Sequence, residues 1–160
     1  MADLLTHVLV PYVVLTVGGW YWSVPRRWVP VAMGGAAIPD LMKLDLVLDE
    51  VVIQSMLGVP FEYDPIASVA GVAVIAGGFT VWFERSVWQE VYALLVFGGC
   101  TSLVLDGLRV FVDGASGFWL YPVWIRPLTP NLYVSSDPRV TAIIGIVVGV
   151  VWLLDTRYVE

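Results

Sequence analysis

Long apolar stretches separated by short charged clusters organise this chain. Residues 4–22, LLTHVLVPYVVLTVGGWYW, are broken in polarity only by His7 and close on Trp20, Tyr21 and Trp22, rings that favour the border between hydrocarbon and water. Residues 28–39, WVPVAMGGAAIP, are apolar but too short to cross a bilayer unless extended through Leu41 and Leu44. A charge-free run follows Asp64-Pro65 and lasts to residue 83, another spans 91–105, and the last covers 140–154. Both Asp64-Pro65 and Ser136-Asp137-Pro138 read as a helix cap followed by proline at the first helical position.

Between the second and third runs the pattern changes. Residues 40–64 interleave Asp40, Lys43, Asp45, Asp49 and Glu50 with Leu41, Leu44, Leu48, Val51 and Val52, the spacing of an amphipathic helix lying on a surface and ending near Gly58-Val59-Pro60. Residues 107–137 carry Phe118, Trp119, Tyr121 and Trp124 among prolines. So long an apolar connection is too hydrophobic for disorder and predicts a cap folded over one end of the bundle. The expectation is an all-α, single-domain polytopic membrane bundle over residues 1–160, with about five segments, a surface helix and a long aromatic loop.

Composition agrees. Of 160 residues 59% are hydrophobic and 14% charged, with a mean hydropathy of +0.83, whereas soluble domains carry about 25% charged residues. The start, Met1-Ala2-Asp3, lacks the basic lead of a removable signal peptide. A net charge of −6 argues against a nucleic-acid partner and against attraction to anionic lipid. Cys100 is the single cysteine, which excludes an internal disulfide and a multi-cysteine zinc cage and reads as a small buried hydrophobe. Lys and Arg divide evenly between the two expected sides, so orientation is weakly determined; Arg26-Arg27 is placed in the cytoplasm.

Small residues recur in the apolar runs: Gly34-Gly35-Ala36-Ala37, Gly71, Gly77-Gly78, Gly98-Gly99, and the GIVVG of Gly145 and Gly149. Helices in lipid associate through close backbone approach, so these positions predict helix contacts, with Gly145 and Gly149 as a seam within the chain or between copies of it.

Ionisable groups inside such runs are functional candidates. If all five segments cross, His7, Asp40, Asp64 and Asp106 share one end of the bundle. Each also has a structural reading: His7 as an interfacial hydrogen-bonding group on a stripe with Pro11, Val14 and Gly18, Asp40 and Asp45 as solvated positions, Asp64 as a cap, Asp106 as a helix-end group. Ser102 and Asp106 stand four apart, hence on one helix face. No Ser-His-Asp arrangement, phosphate loop or haem ligand pair is evident, and paired deep charges or interrupted repeats of a transporter are missing.

Taken together, TH at 6–7, IPD at 38–40, DPIASVAG at 64–71, TSLVLDGL at 101–108 and GFWLYPVW at 117–124 resemble the YdjM-like membrane-bound metal-dependent hydrolases over most of the chain up to about residue 138. That resemblance implies a divalent cation held by His7, Asp40 and Asp106, with Asp45 and Asp64 as weaker candidates. Ser102 stands where the family's His-x-x-x-Asp pair has histidine, Ala67 or Ser68 where another is expected, and Met42 where Pro-Asp-x-Asp has its second aspartate. Zinc favours nitrogen-rich sites, and a lone histidine leaves magnesium, calcium or manganese as the alternative. Two functions follow: a degenerate relative acting as a structural or accessory subunit of the cell membrane, or an active divalent-metal hydrolase of phosphoester or lipid substrates.

Overall fold

The structure, a computed structural model, describes residues 4–22, 25–134 and 137–158, and of Tyr158 only the backbone. Met1-Ala2-Asp3 and Ser136 lie outside the described residues. The described chain is all-helical: α1 (Leu4–Gly19), α2 (Val29–Gly35), α3 (Glu50–Leu57), α4 (Val69–Thr80), α5 (Trp88–Leu108) and α6 (Pro138–Tyr158), with 3-10 turns between several of them. Among the described residues extended pairing is confined to two isolated bridges, Arg109 with Tyr133 and Ala115 with Leu128.

Helix α5 is the centre of the bundle, packing against α1, α2 and α4, while α6 packs along α1. Its buried positions, Val91, Leu95, Gly98, Gly99, Ser102, Leu103 and Gly107, recur every three or four residues. The helix is apolar all round, so size rather than polarity distinguishes the inward stripe. The expected glycine contacts are found at Gly35, Gly98 and Gly99, whereas among the described residues nothing lies within 4 Å of a β-carbon placed at Gly34 or Gly78. A β-carbon on Gly98 would collide with the Ala32 carbonyl of α2, and one on Gly35 with the Leu95 carbonyl of α5. Around this seam Ile38, Val72, Ala76, Val91, Leu95 and Leu103 form the core. Gly145 and Gly149 differ: among the described residues nothing lies near either, so they make no seam there.

Among the described residues two helices are long and apolar enough to cross a membrane, Arg85–Leu108 with 24 residues and Pro138–Arg157 with 20. The apolar helices Leu4–Gly19 and Val69–Thr80 are shorter, and α2 has only 7 residues. The expected second segment is broken because Pro39 opens a 3-10 helix over Pro39–Leu46.

Three local expectations are corrected. The single amphipathic helix from residue 40 is two pieces, that 3-10 helix and α3. Asp49 caps α3 by accepting the Val51 amide at 2.8 Å, and Gly58, at φ 69°, ends it in the left-handed region. Asp64 does not cap α4. It begins a 3-10 turn, Asp64–Ala67, and Ser68, in extended backbone, is the cap, its Oγ accepting the Gly71 amide at 3.0 Å. Loss of that cap should cost about 1 kcal/mol, so Ser68→Ala is expected to lower the midpoint of thermal unfolding followed by circular dichroism, and Ser68→Asp should not restore it, because the buried hydroxyl also donates to the Pro65 carbonyl at 2.6 Å and a carboxylate only accepts. Cys100 is half-buried rather than buried.

At one end of the bundle, Arg26 Nη2 and Trp20 Nε1 both donate to Asp155 Oδ1, at 2.6 and 3.0 Å, tying the end of α1 to the end of α6. The opposite end carries the candidate site.

Candidate functional site

His7, one turn into α1, meets the last turns of the antiparallel α5. Its Nδ1 lies 2.7 Å from Ser102 Oγ, and its Nε2 lies 3.7 Å from Asp106 Oδ1. His7 and Ser102 are buried completely, whereas Asp106 is partly exposed. The placement follows from local spacing: Ser102 and Asp106 are one turn apart on α5, and His7, Pro11 and Gly18 form the buried face of α1, from which Val14 departs by being exposed. The arrangement that satisfies all three groups keeps the imidazole proton on Nε2, toward the carboxylate, and lets Nδ1 accept the Ser102 hydroxyl proton.

His7 thus stands between Ser102, to which it is hydrogen-bonded, and Asp106, which at 3.7 Å lies beyond hydrogen-bond distance; the sequence pattern did not reveal this grouping, because His7 and Ser102 are 95 residues apart in the chain and no nucleophile motif surrounds the serine. As a catalytic triad it is incomplete. Ser102 Oγ is sealed inside the bundle and does not line the cavity beside it, so no substrate carbonyl or phosphorus atom reaches the serine.

Asp106 also accepts from Arg109 Nη1 at 3.3 Å. Asp40 is close enough to act on Asp106 electrostatically, but its Oδ1 is held by Lys43 Nζ at 2.5 Å, and its buried Oδ2 has no hydrogen-bond partner among the described residues. Asp64 reaches the same cavity as Asp106. Asp45 lies toward Tyr63, whose phenol is pushed above its ordinary range first by burial and then by Asp45 and Glu50. The structure therefore joins His7 to Asp106, sets Asp40 nearby and Asp64 across the cavity, and leaves Asp45 aside.

The donor set does not fit the implied cation. One imidazole nitrogen is taken by Ser102, the other faces a carboxylate already shared with Arg109, and the near oxygen of Asp40 belongs to Lys43. Among the described residues no three His, Cys, Asp or Glu side chains are arranged to hold a metal ion. A divalent ion needs several convergent ligands.

A cavity of about 240 Å³ opens beside Asp106, walled by Asp64, Arg109, Arg126, Phe118 and Trp119 among others. Residues 109–134 do fold over this end. The Trp119 carbonyl accepts the Val69 amide at 2.9 Å and the Tyr121 carbonyl the Ala70 amide at 3.4 Å, supplying partners to the first turn of α4. Trp119 Nε1 donates to Ser116 Oγ, which donates to the Pro127 carbonyl, both at 2.9 Å. A β-carbon at Gly107 would stand 2.7 Å from the Trp119 ring, so the glycine makes room for the indole. Burial, and then the Asp106 carboxylate, push the Tyr133 phenol above its ordinary range; it donates to the Leu105 carbonyl at 2.8 Å. Of the four aromatics expected in the cap, Phe118 and Trp119 are half-buried, whereas Tyr121 and Trp124 are exposed.

Arg126 anchors this cap by donating to Asp113 Oδ2 at 2.5 Å and to the Ala115 and Ser116 carbonyls at 3.3 Å. That hydrogen bond, aided by the Ala115 amide, holds the Asp113 carboxyl below its ordinary value. A depressed folded-state pKa contributes stability above the unfolded value, about 3.9, and loses it as pH falls through the folded one. The Asp113 carboxyl, followed by carbon-detected NMR, is therefore expected to titrate below an ordinary aspartate and to return toward it in Arg126→Gln. An unchanged midpoint in that variant would remove the anchor.

Comparison with protein-family models, curated proteins and solved structures finds no match to this chain.

Proposed function

We propose that this chain is a polytopic protein of the cell membrane, a relative of the YdjM-like hydrolases in which a hydrogen bond replaces the metal, and that it serves as a structural or accessory membrane subunit. The observation that carries the reading is the 2.7 Å contact between His7 Nδ1 and Ser102 Oγ, both buried. Serine at the position of the family's second imidazole does not add a ligand; it occupies the one that remains. The apolar exterior of α6 and the empty surroundings of Gly145 and Gly149 support lipid and a second membrane helix, from another subunit or another copy, as partners.

A second reading, an active divalent-metal hydrolase of phosphoester or lipid substrates, is favoured by one feature, the buried unpartnered Oδ2 of Asp40. Metal analysis of protein purified from membranes separates the two. The accessory reading expects no stoichiometric divalent ion after dialysis against zinc, manganese or magnesium, and no phosphodiesterase or lipase activity. A bound ion lost in His7→Ala and Asp106→Asn would establish the hydrolase instead.

A further inference from the structure

Residues 46–60 form an arm whose polar and apolar sides are reversed relative to a helix lying in water. Its body, α3, buries none of its residues. The side chains turned toward the rest of the chain, Glu50, Ile53 and Gln54, are half-buried and two of them are polar. Those turned away, Val51, Val52, Met56 and Leu57, are apolar, and Met56 is 80% exposed. Only four residues of the arm have polar side chains, and each is bonded to the arm or its root. Asp49 accepts the Val51 amide at 2.8 Å and Glu50 Oε1 accepts the Tyr63 amide at 2.8 Å. Gln54 Nε2 donates to the Phe61 carbonyl at 2.8 Å, and Ser55 Oγ to the Val52 carbonyl at 2.7 Å.

Water does not account for this arrangement, because a hydrated surface helix turns its charged and amide groups outward. A protein partner is also a poor match, since such interfaces carry a polar rim with hydrogen bonds of its own, and the outward side of α3 offers none. Hydrocarbon demands what is found: apolar side chains outward and polar groups satisfied within. The distribution of charge is complementary to one leaflet. Asp45 and Asp49 stand at one root and Glu62 and Asp64 at the other, all four exposed, whereas residues 51–60 between them carry no charge. The bonds of Glu50 and Gln54 to residues 61–63 hold the two roots together, so the arm leaves on the side where it enters. Eight residues of α-helix measure about 12 Å, less than the roughly 15 Å of hydrocarbon in one leaflet.

We infer that residues 46–60 are a re-entrant arm inserted into the leaflet at the Asp106 end of the bundle, with lipid acyl chains covering Val51, Val52, Met56 and Leu57. The inference rests on the membrane reading above and replaces the expected surface helix with an element whose whole outward side is in hydrocarbon. Because Asp64 both roots the arm and lines the cavity beside Asp106, that cavity then opens at headgroup depth.

Nitroxide scanning of the full chain in phosphatidylcholine nanodiscs tests it. With Cys100→Ala removing the native thiol, single labels are placed at Val51→Cys, Val52→Cys, Met56→Cys and Leu57→Cys, and at Glu62→Cys as the root reference. All five positions are exposed, so the label displaces no packed side chain. Power saturation is expected to find the four arm labels accessible to oxygen and shielded from a water-soluble nickel chelate, and the Glu62 label the reverse. Adding Met56→Asp should raise nickel access at the Val52 label to that of the root, because a carboxylate is expelled from hydrocarbon, with the far-ultraviolet circular dichroism of the bundle unchanged. Nickel access at Val51 and Leu57 with Val52 and Met56 protected would overturn insertion in favour of a helix lying on the surface. Nickel access at all four, in a chain that still co-floats with lipid, would place the arm in water and overturn the inference alone. Spin–spin broadening that disappears on dilution with unlabelled chain would overturn it in favour of a second copy as the cover. Failure of the membrane reading shows separately, as a chain that stays in solution without detergent or nanodisc.

Discussion

Gly98→Leu is expected to abolish the native bundle. A β-carbon there meets the Ala32 backbone rather than a movable side chain, and the reciprocal approach of Gly35 to Leu95 locks the two helices at that separation. Relief requires α2 to move as a body away from α5, breaking the core around Ile38 and Leu95. Backbone collisions of this kind belong to the rare class costing more than about 4 kcal/mol. Gly145→Leu makes the same chemical change on α6 in open space, and should alter monomer stability by less than about 0.5 kcal/mol. Reversible unfolding in mixed micelles, followed by circular dichroism, measures both. The Gly145 variant also tests association: cross-linking between copies should fall in it if the exposed glycines form a seam between chains, and should persist if another subunit or lipid covers them.

The second large effect is expected at His7. His7→Ala removes a fully buried ring and strands the Ser102 hydroxyl in a dry setting. Cavity formation and the unsatisfied hydroxyl together amount to about 3 kcal/mol. Ser102→Ala alone should cost about 1 to 2 kcal/mol, because the imidazole keeps Asp106 on its other side. In a double-mutant cycle the pair should therefore couple by about 1 kcal/mol or more. Strict additivity would mean that the 2.7 Å contact contributes nothing to the folded state.

The sequence made parts of this site visible for definite physical reasons. The spacing of Ser102 and Asp106 fixed them to one helix face, and the alternation of apolar runs brought the start of the first run to the end of the fourth. What it left hidden was tertiary. Nothing in the text near His7 identifies Ser102 as its partner, since that pairing depends on how closely α1 approaches α5. Asp64 read as a cap because Asp-Pro is a common helix opening, yet Ser68, four residues on, competes for the same amide donors and takes them. That substitution frees Asp64 for the cavity. The second run was legible as too short to cross, but its break was not: Pro39 opens a 3-10 helix in place of the extension through Leu41 and Leu44, and the small residues of the contact with α5 leave α2 a short helix fitted against its neighbour. The aromatic cap was legible from composition, but its anchoring by Arg126, Ser116 and Thr129 was not. Thr129 Oγ1 reaches the Arg109 carbonyl at 2.6 Å across a separation of 20 residues, and no local pattern encodes it.

A single histidine makes the central claim directly measurable. Protein labelled with nitrogen-15 in histidine yields one imidazole spectrum, that of His7. The hydrogen-bonded account predicts a protonated Nε2, an Nδ1 accepting a hydrogen bond that is lost in Ser102→Ala, and resonances that neither shift nor broaden when zinc or manganese is added. An Nδ1 signal that moves or vanishes with stoichiometric metal in the unmodified chain would contradict it.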